Sequence, residues 1–221
     1  MPRRTALRLH LSRLLLVVGL LMLAEVAATL LWQEPVSAVL HARAQGGLER
    51  ELEAIERDTA RRMRRADPVV PELARALARE SRAGGPIGRI AIERIGLRAV
   101  VVEGTGESSL RSGPGHYSAT PLPGQGGTVG VAGHRSSYGA PFRRLDDVRR
   151  GDRVAVTMPY GRFAYEVESV RVVDPGFGGA LRRGAGERLV LTACHPVYSA
   201  ERRIVVTARL TGRPRPRMAP R

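Results

Sequence analysis

Three patterns of apolar and polar positions divide the chain. Residues 14–32, "LLLVVGLLMLAEVAATLLW", are apolar apart from Glu25. At about 1.5 Å of rise per residue, a helix of that length just crosses a hydrocarbon core of roughly 30 Å. Residues 33–85 are polar and charged, yet Leu48, Leu52 and Ile55 fall on one helical face. "PELARALARESRAGG" has Pro71 in a favoured first-turn position and ends on Gly84 and Gly85. Two helical pieces separated by "ADPVVP" are expected here, acting as a stalk or as a partly ordered linker. From Pro86 the period shortens to two: "IGRIAI", "RAVVVE", "TVGVAGH", "RVAVT", "FAYEVESVRVV", "RLVLTAC" and "RIVVTARL" recur between Gly, Pro and Asp punctuation. This spacing predicts a mainly β domain over residues 86–210, a closed barrel of seven to eight strands. Only two short helices, in "SSLRSGPG" and "PFRRLDDV", are expected to interrupt it. Residues 211–221 read as a disordered basic tail, and no internal repeat is present.

Charge changes the picture in one respect. The chain has no lysine and a formal net charge of +15, a balance that usually suggests nucleic acid. Eight of those arginines, however, crowd the two ends: Arg3, Arg4, Arg8 and Arg13, then Arg213, Arg215, Arg217 and Arg221. Aromatics are few and no stacking motif appears, so no nucleic-acid partner is expected; anionic lipid headgroups or acidic wall polymers account for basic ends. The arginines precede the apolar run and Trp32 closes it, which puts residues 1–13 in the cytoplasm and everything after residue 32 outside. The expected location is the cell membrane, single-pass, with the barrel extracellular. The alternative is a cleaved signal peptide, with "ARA" at 42–44 as the small-x-small site, but it lies well past an apolar stretch longer than a usual signal core.

Outside the cell, cysteines usually pair, and this chain has one, Cys194. It is an intermolecular partner, a buried inert thiol, or a reactive one. His134 ends "TVGVAGH", Cys194 ends "RLVLTAC", and Arg202 and Arg203 open "RIVVTARL". If the last two strands form an antiparallel hairpin, the thiol and the arginine pair share one rim of the barrel. Those residue types suit acyl transfer: a thiolate attacks a carbonyl carbon, an imidazole moves the proton on the amine, and a guanidinium holds the oxyanion. Zinc bound by Cys194, His195, His134 and His116 is disfavoured, because no close ligand pairing occurs. No metal and no cofactor is expected.

"IGRIAIERIGLRAVVVEGT", "LRSGPGHY", "PLPGQGGTVGVAGHRSSYGAPFRRLDDVRRGD", "LVLTACHP" and "RIVVTARL" resemble, in order, the extracellular sortase domain. "AGHR" followed by "YG", and a cysteine followed by "HP", are most similar to class E, the housekeeping sortases of high-GC Gram-positive bacteria. The resemblance implies a cysteine transpeptidase. Such an enzyme cuts a C-terminal sorting signal between Thr and Gly, holds the Thr carbonyl as a thioester, and passes it to an amine of a cell-wall precursor of the lipid II type. Its partners would be secreted proteins bearing that signal, the precursor, and the membrane. By the same resemblance Cys194 is the nucleophile, His134 the acid/base, and Arg203 the catalytic arginine, with Arg202 as runner-up. Tyr138 matches a residue associated with Leu-Ala-x-Thr-Gly over Leu-Pro-x-Thr-Gly signals, and His116 matches a structural motif. Two departures stand out. Ala193 occupies the usual Thr position before the nucleophile, with Thr192 one further back, and Val69 stands where pilus-building sortases carry an aromatic after Asp-Pro. A thiol hydrolase on the same fold and a non-catalytic, membrane-tethered binding domain remain open as alternatives.

Overall fold

The computed structural model describes residues 2–31, 35–66, 69–176, 178–181, 186–212 and 214–216. Trp32, the Asp67-Pro68 pair between the expected helical pieces, and most of the basic tail lie outside the described residues.

Helix α1 (Pro2–Leu31) contains the apolar run, and its window His10–Ala27 is long and apolar enough to cross a membrane. Leu14, Leu15, Leu16, Leu21 and Leu23 are all exposed on it. These exposed leucines fit a lipid-facing surface.

The barrel is built from β1 (Pro86–Ile92), β2 (Leu97–Glu103), β3 (Gly115–His116), β4 (Thr128–Ala132), β5 (Arg153–Met158), β6 (Gly161–Val173), β7 (Arg188–His195) and β8 (Arg202–Leu210). Their order around the wall is β5-β1-β2-β3-β4-β7-β8-β6, and the β5–β6 pairing closes the ring. The pair β9 (Arg215–Pro216) adds to β6 outside the ring. Two pairings are parallel, β2 with β3 and β4 with β7. Alternation explains the wall. Val154, Val156 and Met158 on β5, and Phe163, Tyr165 and Val167 on β6, point inward, while the residues between them face out. Leu189, Leu191, Ile204, Val206 and Ala208 fill the interior from β7 and β8. The two short helices expected inside the domain appear as α4 (Glu107–Ser112) and a single 3₁₀ turn, Leu145–Asp147.

The helices before the barrel pack on it. Helix α2 (Pro35–Ala66) buries Leu48 and Leu52 against Val100 and Val102 of β2. Helix α3 (Val70–Glu80) sends Leu73, Ala74 and Leu77 into the main core. Two polar devices fix α2. Arg89 of β1 reaches Glu49 (Nε to Oε1, 2.8 Å) and Glu56. The Gln45 side chain behaves as a strand peptide: its amide donates to the Ser112 carbonyl (2.7 Å) and the Val100 carbonyl (3.2 Å), and its oxygen accepts from Val100 N–H (2.7 Å). Val100 backbone groups beyond the reach of the two-residue β3 are thereby satisfied. The docked α2 brings a further residue, His41, to the chemically interesting rim.

Candidate active site

Strand register aligns the site. β7 and β8 pair antiparallel with Cys194 opposite Arg203 and His195 opposite Arg202. Directly opposed residues share a face, so the thiol and Arg203 lie side by side, while Arg202 points the other way. Arg202 reaches the Val172 carbonyl (3.3 Å) and Asp174 (3.8 Å). Arg203 donates to the Ala200 and Arg202 carbonyls (3.0 and 3.1 Å) and has no carboxylate partner among the described residues. On the other side of β7, the parallel pairing of β4 runs to Ala132 opposite Thr192. It is prolonged by one bond, from Gly133 N–H to the Thr192 carbonyl (3.0 Å). His134 follows, one residue on, level with Cys194. Thiol and guanidinium therefore sit on neighbouring strands, with the imidazole at the same height just past the end of β4.

The local sequence explains how His134 is held. Gly133 has no room for a side chain, because a Cβ there would overlap the ring of fully buried Phe142. Phe142 N–H donates back to the His134 carbonyl (3.0 Å), so the turn after β4 is pinned from both sides. Tyr138, with a left-handed backbone (φ 51°), sets its ring 5.3 Å from the His134 ring, tilted by 50°. The Arg111 guanidinium lies over the other partner, 5.4 Å from the Tyr138 centroid. Within β7, buried Ala193 points into the core and half-buried Thr192 and Cys194 point out together. The Thr192 hydroxyl is hydrogen-bonded to Tyr117 Oη (2.9 Å). The hydroxyl expected next to the nucleophile is thus two residues back on the thiol's own face, which restores a polar group near it. His116 is buried and paired with Glu103 (2.9 Å), with Thr120 at 3.0 Å; it takes no place at the rim.

Two residues of the site escape sequence reading. Arg135, next to His134, is fully buried. It donates to the Arg143 carbonyl (2.9 Å), to Asp146 (2.7 Å) and to His195 Nδ1 (3.0 Å). Guanidinium has no acceptor, so His195 Nδ1 accepts and the ring proton sits on Nε2. The adjacency "HR" in "AGHR" was the signal available for Arg135. His41 is the second, and a lone His in a charged helix offers no signal. Its ring packs where a Cβ on Gly139 would stand, and it is hydrogen-bonded to the backbone of Arg111.

Both rim histidines are held below the ordinary imidazole value, burial being the main cause. For His134, Glu107 opposes that shift, while Arg111 and His41 reinforce it. Neither His134 Nε2 nor His41 Nδ1 has a hydrogen-bond partner among the described residues. Depressed folded values mean that the unfolded chain takes up protons first. The stability these groups contribute is complete above pH of about 6.5 and is lost as pH falls through their lowered values. Thermal denaturation followed across pH should therefore show a level melting temperature near neutrality and a decline below about 6.5. His41→Gln should flatten that decline; a profile identical to wild type would refute the assignment.

Comparison with known proteins gives the same outline. The matching family is described as the sortase domain, over residues 90–211. Sortase D of Bacillus subtilis is 31% identical over 127 residues, covering 56% of this chain and 63% of that protein. Sortase SrtE1 of Streptomyces coelicolor is 28% identical over 146 residues, covering 58% and 42%. The chain thus spans less than two thirds of the length of these curated relatives. A solved structure, the Clostridium perfringens sortase D5 transpeptidase, superposes with a TM-score of 0.58 at 26% identity, over 72% of this chain and 99% of that one.

Proposed function

This chain belongs to the sortase family, and from that premise we propose that it is a membrane-anchored cysteine transpeptidase acting on a C-terminal sorting signal. The observation that carries the reading is the level row of His134, two residues past the end of β4, with Cys194 on β7 and Arg203 on β8. Cys194 passes its thiol proton to His134 and attacks the Thr carbonyl: the S–C bond forms, the C–N bond to Gly breaks, and His134 hands that proton to the leaving amine. A wall-precursor amine then attacks the thioester and gives a proton to His134; the C–N bond forms, the S–C bond breaks, and His134 returns the proton to the departing Cys194 sulfur. Arg203, free of any carboxylate among the described residues, is available to the carbonyl oxygen through both steps. Neutral His134 suits the second step, since it can accept a proton without first losing one.

The class E reading rests on "AGHR", "YG" and the His-Pro pair after the cysteine, and it assigns Tyr138 to the signal's second position. Its support is the Tyr138 ring against His134; the similar identities to a class D and a class E relative do not separate the two. The arginines before residue 14 orient α1 with the barrel outside. The same division leaves residues 33–85 as the segment joining anchor to barrel and 211–221 as a tail.

Intact-mass spectrometry on the full chain in detergent tests this. Leu-Ala-x-Thr-Gly and Leu-Pro-x-Thr-Gly peptides should each add an acyl mass to Cys194, with the first signal preferred, and an added amine should discharge it. Release only as the hydrolysed acid, whatever amine is present, would make the protein a thiol hydrolase. No adduct from folded protein would remove the enzyme reading.

A further inference from the structure

Behind His41 lies a pocket of about 360 Å³ that the chemistry above does not use. Arg98, Arg143 and Arg144 line it, and among the described residues no carboxylate does. Arg144 is paired with Asp147 (2.8 Å) and Arg143 leans on the Tyr198 hydroxyl (3.3 Å). The Arg98 side chain, exposed at the start of β2, has no ion-pair partner among the described residues. With Arg144 already paired, Arg98 and Arg143 have no carboxylate partner among the described residues and leave the cavity an excess of positive charge that a bound anion compensates.

The pocket adjoins the reacting groups. His41 and Gly139 form part of its wall, and Tyr138, next to Gly139, holds its ring against His134. Arg143 touches Tyr198 in the segment that follows Cys194. His41, in the pocket wall, is also close enough to His134 to act on its charge.

Resting on the transpeptidase reading, we infer that this pocket binds the carboxylate carried by the amine acceptor. Planar guanidinium forks match a carboxylate edge to edge, which both anchors the acceptor and orients its amine toward the thioester. The pocket thereby selects amino acids and peptides with a free carboxylate over simple amines, and selects amines over water.

Diaminopimelate and 1,5-diaminopentane share one carbon chain and two amines, and differ only in the two carboxylates. The full chain in detergent, acylated with a signal peptide, should be discharged by each, and the ratio of the two kcat/KM values compared across variants. Comparing ratios cancels the different basicities of the amines. Arg98→Gln should lower the preference for diaminopimelate about tenfold, through KM. Arg98→Glu should abolish it. A ratio unchanged in both variants, with the acyl adduct still forming, would overturn the inference and leave the transpeptidase standing. Inorganic phosphate that inhibits both amines equally, with no preference between them in wild type, would transfer the pocket from a carboxylate to a phosphate ligand and overturn it too. If wild type forms no adduct, the reading beneath fails, and the pocket is decided by itself: in the Cys194→Ala chain, diaminopimelate but not diaminopentane should shift the His41 ring signals saturably, and Arg98→Glu should remove the shift. Equal shifts from both amines would sink it.

Discussion

Cys194→Ala is expected to abolish the acyl adduct and all transfer, and Arg203→Ala to slow acylation by roughly 10²–10³-fold, while Arg202→Ala stays within a few-fold of wild type. The asymmetry between adjacent arginines is the informative part. Arg203 stands directly across the β7–β8 ladder from the thiol, and on the proposed mechanism its loss removes donors from the place where negative charge develops on the carbonyl oxygen. Arg202 belongs to the opposite face and is engaged with Val172 and Asp174, a solvent-exposed contact of small energetic weight. Single-turnover acylation read by intact mass separates the two, because a folding defect would reduce the competent fraction rather than the rate. Equal losses at both positions would mean that the register does not decide which arginine serves the reaction.

Arg135→Ala should produce the largest loss of stability, about 3–5 kcal/mol, or a fall in melting temperature of roughly 10 °C. The guanidinium is fully buried and serves three partners: the Arg143 carbonyl, Asp146 and His195. Removing it leaves those groups short of a donor and opens a cavity under the turn that carries His134. Arg135→Lys keeps the charge but not the fork, so it cannot satisfy all three. It should recover part of the stability yet remain slow in acylation, because His195, beside the nucleophile, loses its anchor. A lysine variant with wild-type rates would assign Arg135 to packing alone.

The barrel, and the placement of His134, Cys194 and an arginine at one rim of it, were legible for a local reason. Period-two alternation marks each strand, and a hairpin between "RLVLTAC" and "RIVVTARL" brings the end of one beside the start of the next, so Cys194 and an arginine had to meet. Choosing Arg203 over Arg202 needed only the parity of the strand once the register was known. Parity also accounts for Thr192: a hydroxyl one residue before Cys194 would point into the core, whereas at two residues from it the side chain lies on the thiol's face. What could not be read depends on contacts distant in sequence. An arginine following a histidine at a strand end reads as solvated, and only the fold supplies the carbonyl, carboxylate and imidazole that let Arg135 be buried. The apolar face of Leu48, Leu52 and Ile55 announced a helix but not its partner. Gln45 on the same helix looked like any polar surface residue, although its side chain completes a strand edge.

The docking of α2 also sets a distance. His41 stands ten residues beyond the end of α1, and seven of the residues concerned, Pro35 to His41, are already helical. A chain of that form spans no more than roughly 25 Å. On the proposed anchoring, with residues 14–32 in the bilayer, the rim bearing His134 stays close to the headgroups. The proposed reactants, a signal-bearing protein and a lipid-linked amine, would then each meet it while held at the same membrane. Their encounter would be a search in two dimensions, and a freely diffusing protein with the same signal would be used far less often.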